Sequence, residues 1–267
     1  MNDRKKNKER QAVIAKLLEE TDRIGVNELF ERLHVSKETI RRDLKEMEEA
    51  GIIQRVHGGA VMAESAKGLK EYPLLTREIR NYTEKVRLCK KAAEYIEDGD
   101  TIFIDNSSTT LNLVAHINPK YRVTIITNSI RVLLEASLEE MSNLSFICLG
   151  GILKSRNYSL TGAMTLEQLG NFRPNKAFLS CHGMTLEDGI TDGSIYEVDA
   201  KQAMIKQAKK TYLLADSSKF GKTGVVLLSQ FDSVDYLITD DSVSEEYRRF
   251  IESQGTEIIV LEENDFR

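Results

Sequence analysis

Residues 34 to 59 read His34-Val-Ser-Lys-Glu-Thr-Ile-Arg-Arg-Asp-Leu-Lys-Glu-Met-Glu-Glu-Ala-Gly-Ile-Ile-Gln-Arg-Val-His-Gly-Gly59. His34-Val35 makes a turn, and Ser36 is a good helix N-cap because its side-chain oxygen can take an orphan backbone N–H. Ile40, Leu44 and Met47 then fall on one face of a helix, with Glu38, Arg42 and Lys45 opposite and Arg41 beside the apolar stripe. Gly51 suits the left-handed conformation that ends a helix. Ile52 to Arg55, and the residues after Gly58-Gly59, suit the two arms of a short basic hairpin. The whole reads as a winged helix-turn-helix, a shape that lies in a DNA major groove.

Working outward, residues 9–20 place Val13, Ile14, Leu17 and Leu18 at helical spacing. Ile24 and Val26 suit one short strand. Asn27 is expected to cap a second helix, with Leu29, Phe30 and Leu33 facing inward. Ser36, Lys37 and Thr39 occupy the first turn of the third helix, where base edges and phosphates are met. Arg42 suits either a bidentate contact to guanine or a phosphate. Arg41, Lys45, Arg55 and His57 complete the expected DNA-facing set. A solvated charged face is the competing reading, but cap, helix and hairpin follow one another in the order a DNA reader needs.

Charge divides the chain. Residues 1–60 carry 13 Lys and Arg against 12 Asp and Glu, whereas the rest carries 24 against 30. The second part would be repelled by DNA, which suits a sensor held away from it. With 267 residues, 41% hydrophobic and 30% charged, two globular domains fit. The expected division is a DNA-binding domain over 1–60, a linker over 61–80 and a sensor over 81–267. In the linker, Ala60 to Leu69 is small and polar, and Glu71-Tyr-Pro73 breaks any helix. A helix containing Arg77, Lys85 and Leu88 is expected next. Three cysteines without paired spacing, no apolar leader and no run of about 20 apolar residues predict a cytoplasmic chain with reduced thiols and no membrane span.

Beyond the linker, apolar runs alternate with helical patterns. Strands are expected at 101–105, 123–128, 144–150, 176–180, 211–216, 234–240 and 256–262. Helices are expected at 109–118, 129–139, 198–210 and 244–254. This is an α/β pattern with a largely parallel sheet. Several runs end in polar or glycine residues, namely Asp105, Asn128, Gly150-Gly151, Asp216 and Asp240. Ligands of open parallel sheets bind beyond the carboxyl ends of the strands. Asp105-Asn-Ser-Ser-Thr-Thr110, running into a helix, suits a phosphate, with a capping turn built from Ser107, Ser108, Thr109 and Thr110 as the alternative.

Val35-Ser36 with Thr39-Ile-Arg-Arg-Asp-Leu44, Gly51 and Arg55-Val-His-Gly-Gly-Ala60 closely resembles the DeoR-type family of bacterial repressors. Asp105 to Thr110 resembles the family's phosphate loop, with Ser107 where the family usually has Gly. Thr127-Asn128-Ser129, Gly150-Gly151, Gly162, Gly183, Gly189-Ile-Thr191, Glu197 with Lys201, and Asp216-Ser-Ser-Lys219 resemble further signatures. The resemblance implies repression of a sugar-catabolic operon, a sugar phosphate as effector, and a sensor fold shared with ribose-5-phosphate isomerase and CoA transferases. Lys219 is then expected to pair with the effector's phosphate or hydroxyl, and Asp216 with sugar hydroxyls. Lys85 and Arg77 are weaker candidates, and Glu197 equally suits a helix start.

Cys148, Cys181 and His182 lack metal-ligand spacing, so no metal or cofactor is expected. Asp105, Glu197 and Lys219 are the residue types that sugar isomerisation needs, which leaves an isomerase with an appended DNA module as the alternative. A constitutive DNA-binding protein whose second domain only oligomerises is a third reading. The main expectation is a repressor, not an enzyme. It would bind double-stranded operator DNA as a homodimer or homotetramer and answer to a phosphosugar.

Overall fold

The computed structural model describes residues 2–63, 74–137 and 142–261. They form two compact units, Met1–Thr83 and Glu84–Arg267.

The first unit holds helices α1 (Asn2–Thr21), α2 (Val26–Leu33) and α3 (Lys37–Glu49), followed by a wing. Its three strands, β1 (Arg23–Gly25), β2 (Ile53–Val56) and β3 (Gly59–Met62), pair antiparallel in the order β1-β3-β2. Ile14, Leu18, Ile24, Leu29, Ile40, Leu44, Met47 and Ile52 make one apolar core. The side chains expected to face inward from α1 and α3 supply much of it, although Val13 and Phe30 stay largely exposed. Gly59 is required where β3 crosses β1, since a Cβ there would lie 2.1 Å from the Ile24 carbonyl oxygen.

Two local expectations change. α2 begins at Val26 with Gly25 at its N-cap and no side-chain cap bond, so Asn27 lies inside the helix. The Val26 N–H instead donates to Gly58 O at 2.9 Å, tying the helix start to the wing. The expected linker also holds structure at both ends, because β3 runs to Met62 and a short helix α4 (Leu74–Ile79) follows. Ile79 joins the apolar core of the first unit and Glu78 pairs with Lys8 at 3.7 Å, so this end is packed against α1. Residues 64–73, including the expected helix break at Glu71-Tyr-Pro73, lie outside the described residues. Asn81, at a φ of 50°, then separates α4 from α5 (Tyr82–Ala93).

The second unit is built on seven strands. They are β4 (Thr101–Ile104), β5 (Val123–Thr127), β6 (Leu144–Cys148), β9 (Lys176–Leu179), β12 (Lys210–Leu214), β14 (Tyr236–Thr239) and β15 (Glu257–Val260). All seven are the strands expected, and every pairing is parallel in the order β15-β14-β12-β9-β4-β5-β6. Both faces are covered, which is why the strands read as continuous apolar runs. Ile102, Ile104 and Phe178 enter one core cluster, while Phe103, Ala177 and Leu179 enter the other. Cross-strand register stacks Phe178 on Tyr212 at 5.0 Å and Tyr212 on Tyr236 at 4.6 Å. β6 is the exception: at the sheet edge, Ile147 and Cys148 are exposed, so neither is core.

Helices α6 (Ile130–Ser137), α8 (Val198–Gln207) and α9 (Glu245–Ser253) match expectation, and α7 (Ala163–Gly170) is additional. So are a hairpin of β7 (Ile152–Lys154) with β8 (Ser159–Thr161), and a small sheet of β10 (Gly183–Thr185), β11 (Gly189–Asp192) and β13 (Val226–Ser229). The helix expected at 109–118 is replaced by two single 3₁₀ turns, Thr110–Asn112 and Val114–His116. Ser107 Oγ accepts the Thr110 N–H at its start, as an N-cap does, but only these tight turns follow.

Candidate functional site

In the first unit Ser36 caps α3, its Oγ accepting the Thr39 N–H at 3.1 Å. Lys37, Arg41, Arg42 and Lys45 on α3, and Arg55 and His57 on the wing, are all exposed. Thr39 is half-buried, and Lys37 lies 5.5 Å from the Phe30 ring centre. Arg41 and Lys45 make only long pairs of 3.7 Å with Glu38 and Glu49, of the exposed kind worth about 0–1 kcal/mol. The expected DNA-facing residues thus share one helix and its wing, with their charges accessible.

In the second unit the strand order reverses between β4 and β9. From β4 the chain runs outward to β5 and β6, and from β9 outward to β12, β14 and β15. In open parallel sheets, ligands are held beyond the carboxyl ends of the strands at such a reversal. The Asp105–Thr110 loop leaves β4 there, and Ser180 ends β9.

Asp105 is fully buried and anchors the loop. Its Oδ1 accepts the Ser107 N–H at 3.0 Å and the Thr110 hydroxyl; its Oδ2 accepts the Ser180 N–H at 3.1 Å and lies 3.3 Å from Lys201 Nζ. Ser107 Oγ bonds the Thr110 hydroxyl at 2.8 Å, so the capping turn is present. With only a single 3₁₀ turn after it, this loop has no α-helix terminus to offer a phosphate.

Lys85 gives the loop its charge. A weaker candidate from the sequence, it is 4% exposed, and its Nζ donates to Ser108 Oγ at 3.0 Å. Thr109 Oγ1 accepts from Ser180 Oγ at 3.3 Å. Asp216 ends β12 and turns the chain by accepting the Ser218 N–H at 3.1 Å, which leads to the half-buried Lys219. Burial pushes the Asp216 carboxyl up, but Lys219, the Ser218 hydrogen bond and Lys85 outweigh it and hold the group below the usual carboxylate range. Lys85, Ser108, Asp216 and Lys219 are therefore one electrostatic neighbourhood. Arg77 falls in the first compact unit.

Other expected effector residues serve the scaffold. Asn128 holds the β7–β8 hairpin, its Nδ2 donating to Leu160 O at 3.0 Å and its carbonyl accepting the Leu160 N–H at 2.8 Å. Gly150 is tied to α7, its N–H donating to Gln168 at 3.0 Å and its carbonyl accepting the Thr165 hydroxyl at 2.7 Å. Gly151, at a φ of 145°, has room for no Cβ, since Thr165 Oγ1 would lie 2.2 Å away. Glu197 stands at the start of α8 without capping it; its carboxylate accepts from Asn157 Nδ2 at 3.0 Å and from the Ser159 hydroxyl. Asp105 and Glu197 are thus engaged by protein groups, unlike a poised acid–base pair. Cys89 and Cys181 are buried, and burial pushes the Cys181 thiol up to about 12. No metal-binding cluster occurs among the described residues.

Sequence reasoning assigned no role to the residue that joins these parts. Lys201 donates to Ser180 O at 2.9 Å and Asp192 Oδ2 at 2.6 Å, besides Asp105. Burial alone would favour loss of its proton, but Asp192 and Asp105 outweigh burial and raise its pKa. The sequence marked it only as part of a family signature with Glu197.

Residues 10–66 match the DeoR-like helix-turn-helix domain, and residues 80–241 match the DeoR C terminal sensor domain. The chain belongs to the DeoR family. It is 34% identical over 254 residues to the HTH-type transcriptional regulator GolR of Listeria innocua, covering 95% of this chain and 98% of that one. It is also 34% identical to the lactose phosphotransferase system repressor of Staphylococcus epidermidis, over 86% of this chain and 90% of that one. Among solved structures it is similar to ribose 5-phosphate isomerase A of Methanocaldococcus jannaschii, with 15% identity, a TM-score of 0.39, and 52% and 55% of the two chains covered. This DeoR-family chain is a DNA-binding transcriptional regulator. No described helix is long and apolar enough to cross a membrane.

Proposed function

We propose that this regulator represses a sugar-catabolic operon and is released from its operator by a phosphorylated sugar bound at the β4–β9 crevice. The observation that carries the reading is the buried Lys85, held on Ser108 in the loop after β4, beside Asp216 and Lys219. Two ammonium groups at a crevice mouth suit a phosphate dianion, and Asp216 suits sugar hydroxyls. Ser107, Ser108, Thr109 and Thr110 shape the loop around the phosphate, while Asp105, Asn128, Gly150, Gly151 and Glu197 act by holding the walls. A sugar-system repressor among the relatives supports the biological setting.

In this reading Ser36, Lys37, Thr39, Arg41 and Arg42 meet the major groove, and Lys45, Arg55 and His57 meet phosphate. The protein works in the cytoplasm as a homodimer or homotetramer, because one small winged helix reads few bases. Two readers on one face of a duplex place half-sites about 34–36 Å apart or at multiples of that. Effector binding shifts the population towards a weak-binding state, with a coupling of about 1–3 kcal/mol.

Lys219→Ala tests the assignment. Operator affinity should stay unchanged in fluorescence anisotropy, while the concentration of phosphosugar needed for release rises at least about tenfold. A normal response in this variant would remove the phosphate role from Lys219.

A further inference from the structure

The near-neutral charge of residues 1–60 poses a problem for a DNA reader, and the side chains of α3 resolve it by what they do with their acids. Asp43 lies between Arg42 and Lys45 in sequence yet is completely buried. Its Oδ1 accepts from Arg10 Nη2 at 2.8 Å and from Asn7 Nδ2 at 2.8 Å, and its Oδ2 accepts from Arg10 Nε. Glu46 Oε2 takes Gln11 Nε2 at 2.8 Å and Asn7 Nδ2 at 3.1 Å. On the other flank, Glu48 Oε1 accepts the backbone N–H of Arg55 at 3.0 Å. The first two acids bind α1 and the third binds wing strand β2. A two-pronged guanidinium–carboxylate contact fixes angle as well as distance.

We propose that Asp43, through Arg10, and Glu48, through the Arg55 backbone, are positioning residues that set the rotation of α3 and the placing of the wing, and thereby the sequence specificity of DNA binding. Neither contacts DNA. They hold Arg41, Arg42, Lys45 and Arg55 in one arrangement, so that base edges and phosphates are met together. The proposal rests on the DNA-binding role of this unit and is independent of the effector.

The sign of the effect separates positioning from plain electrostatics. Removing an acid beside DNA strengthens binding to any duplex, whereas loss of positioning weakens binding to the preferred duplex alone. The test uses the full chain, a duplex selected by it from random DNA, and a scrambled duplex of equal length. Asp43→Asn should bind the selected duplex about tenfold or more weaker, and the scrambled one equally well or slightly better. Glu48→Ala, on an exposed side chain, should lose about threefold on the selected duplex only. Unchanged preference in both variants, or equal losses on both duplexes, overturns the proposal. If circular dichroism shows that Asp43→Asn does not fold, Arg10→Lys decides together with Glu48→Ala. It keeps the charge but cannot span both carboxylate oxygens, and full preference in both would equally overturn the idea.

Discussion

Lys201 shows how one ammonium can organise a binding loop. It donates to Ser180 O and Asp192 and forms an ion pair with Asp105 at 3.3 Å, joining residues at the ends of β9, β11 and β4. Removing one partner from a buried charge network leaves carboxylates uncompensated, at a cost of about 3–5 kcal/mol. Lys201→Met should therefore lower the unfolding free energy of the second unit by that much, read as a lower urea midpoint at unchanged slope; a midpoint equal to the wild type would show that Lys201 is dispensable. Residue roles were the least legible part of the sequence. Asp105 was readable as important, since it ends an apolar run, but whether it binds ligand or scaffold depends on Ser180, 75 positions away. Lys85 was only a weaker candidate because helical periodicity says nothing of what the next layer brings to a face. Asp43 was hidden by its setting among exposed charges, although its place beside Leu44, one turn from Met47, put it near the apolar stripe.

Elements were legible where the pattern was local and repeated. All seven sheet strands were readable, because the inner strands are buried on both faces and leave unbroken apolar runs while the edge strands stay largely apolar, and Ser36 declared α3 by its cap. The failures lie where a tertiary contact overrides local preference. The stretch from Thr110 to His116 has helical spacing and a capping serine in Ser107, yet it closes into two tight turns. β7, β8, β10 and β11 are three or four residues each, too short for a period to emerge. The wing depends on contacts as much as on turn residues. Gly59→Ala would drive a methyl group into the Ile24 carbonyl 2.1 Å away. This variant should lose at least about 2 kcal/mol of stability in the first unit and bind DNA poorly, with thermal unfolding of the second unit unchanged. Wild-type DNA affinity and stability in Gly59→Ala would mean that β1 and β3 are not packed as described.

At the scale of the whole molecule, a reader with exposed cations is joined to an acidic sensor domain in which Lys85, Asp216 and Lys219 share one electrostatic neighbourhood. In the proposed function, a ligand held there changes the affinity of the reader for DNA. A ligand can do this only through unequal affinity for two states, so the size of the response reports the coupling itself. The direct measurement is fluorescence anisotropy of the full chain on a duplex it selects from random DNA, titrated at fixed salt with a panel of sugar phosphates and the matching unphosphorylated sugars. Expected are saturable release by one phosphorylated sugar, no release by its unphosphorylated form, and, in Lys219→Ala, release only at a concentration at least about tenfold higher. Tight DNA binding that no sugar phosphate alters, or release by the free sugar at equal concentration, would contradict the proposed function.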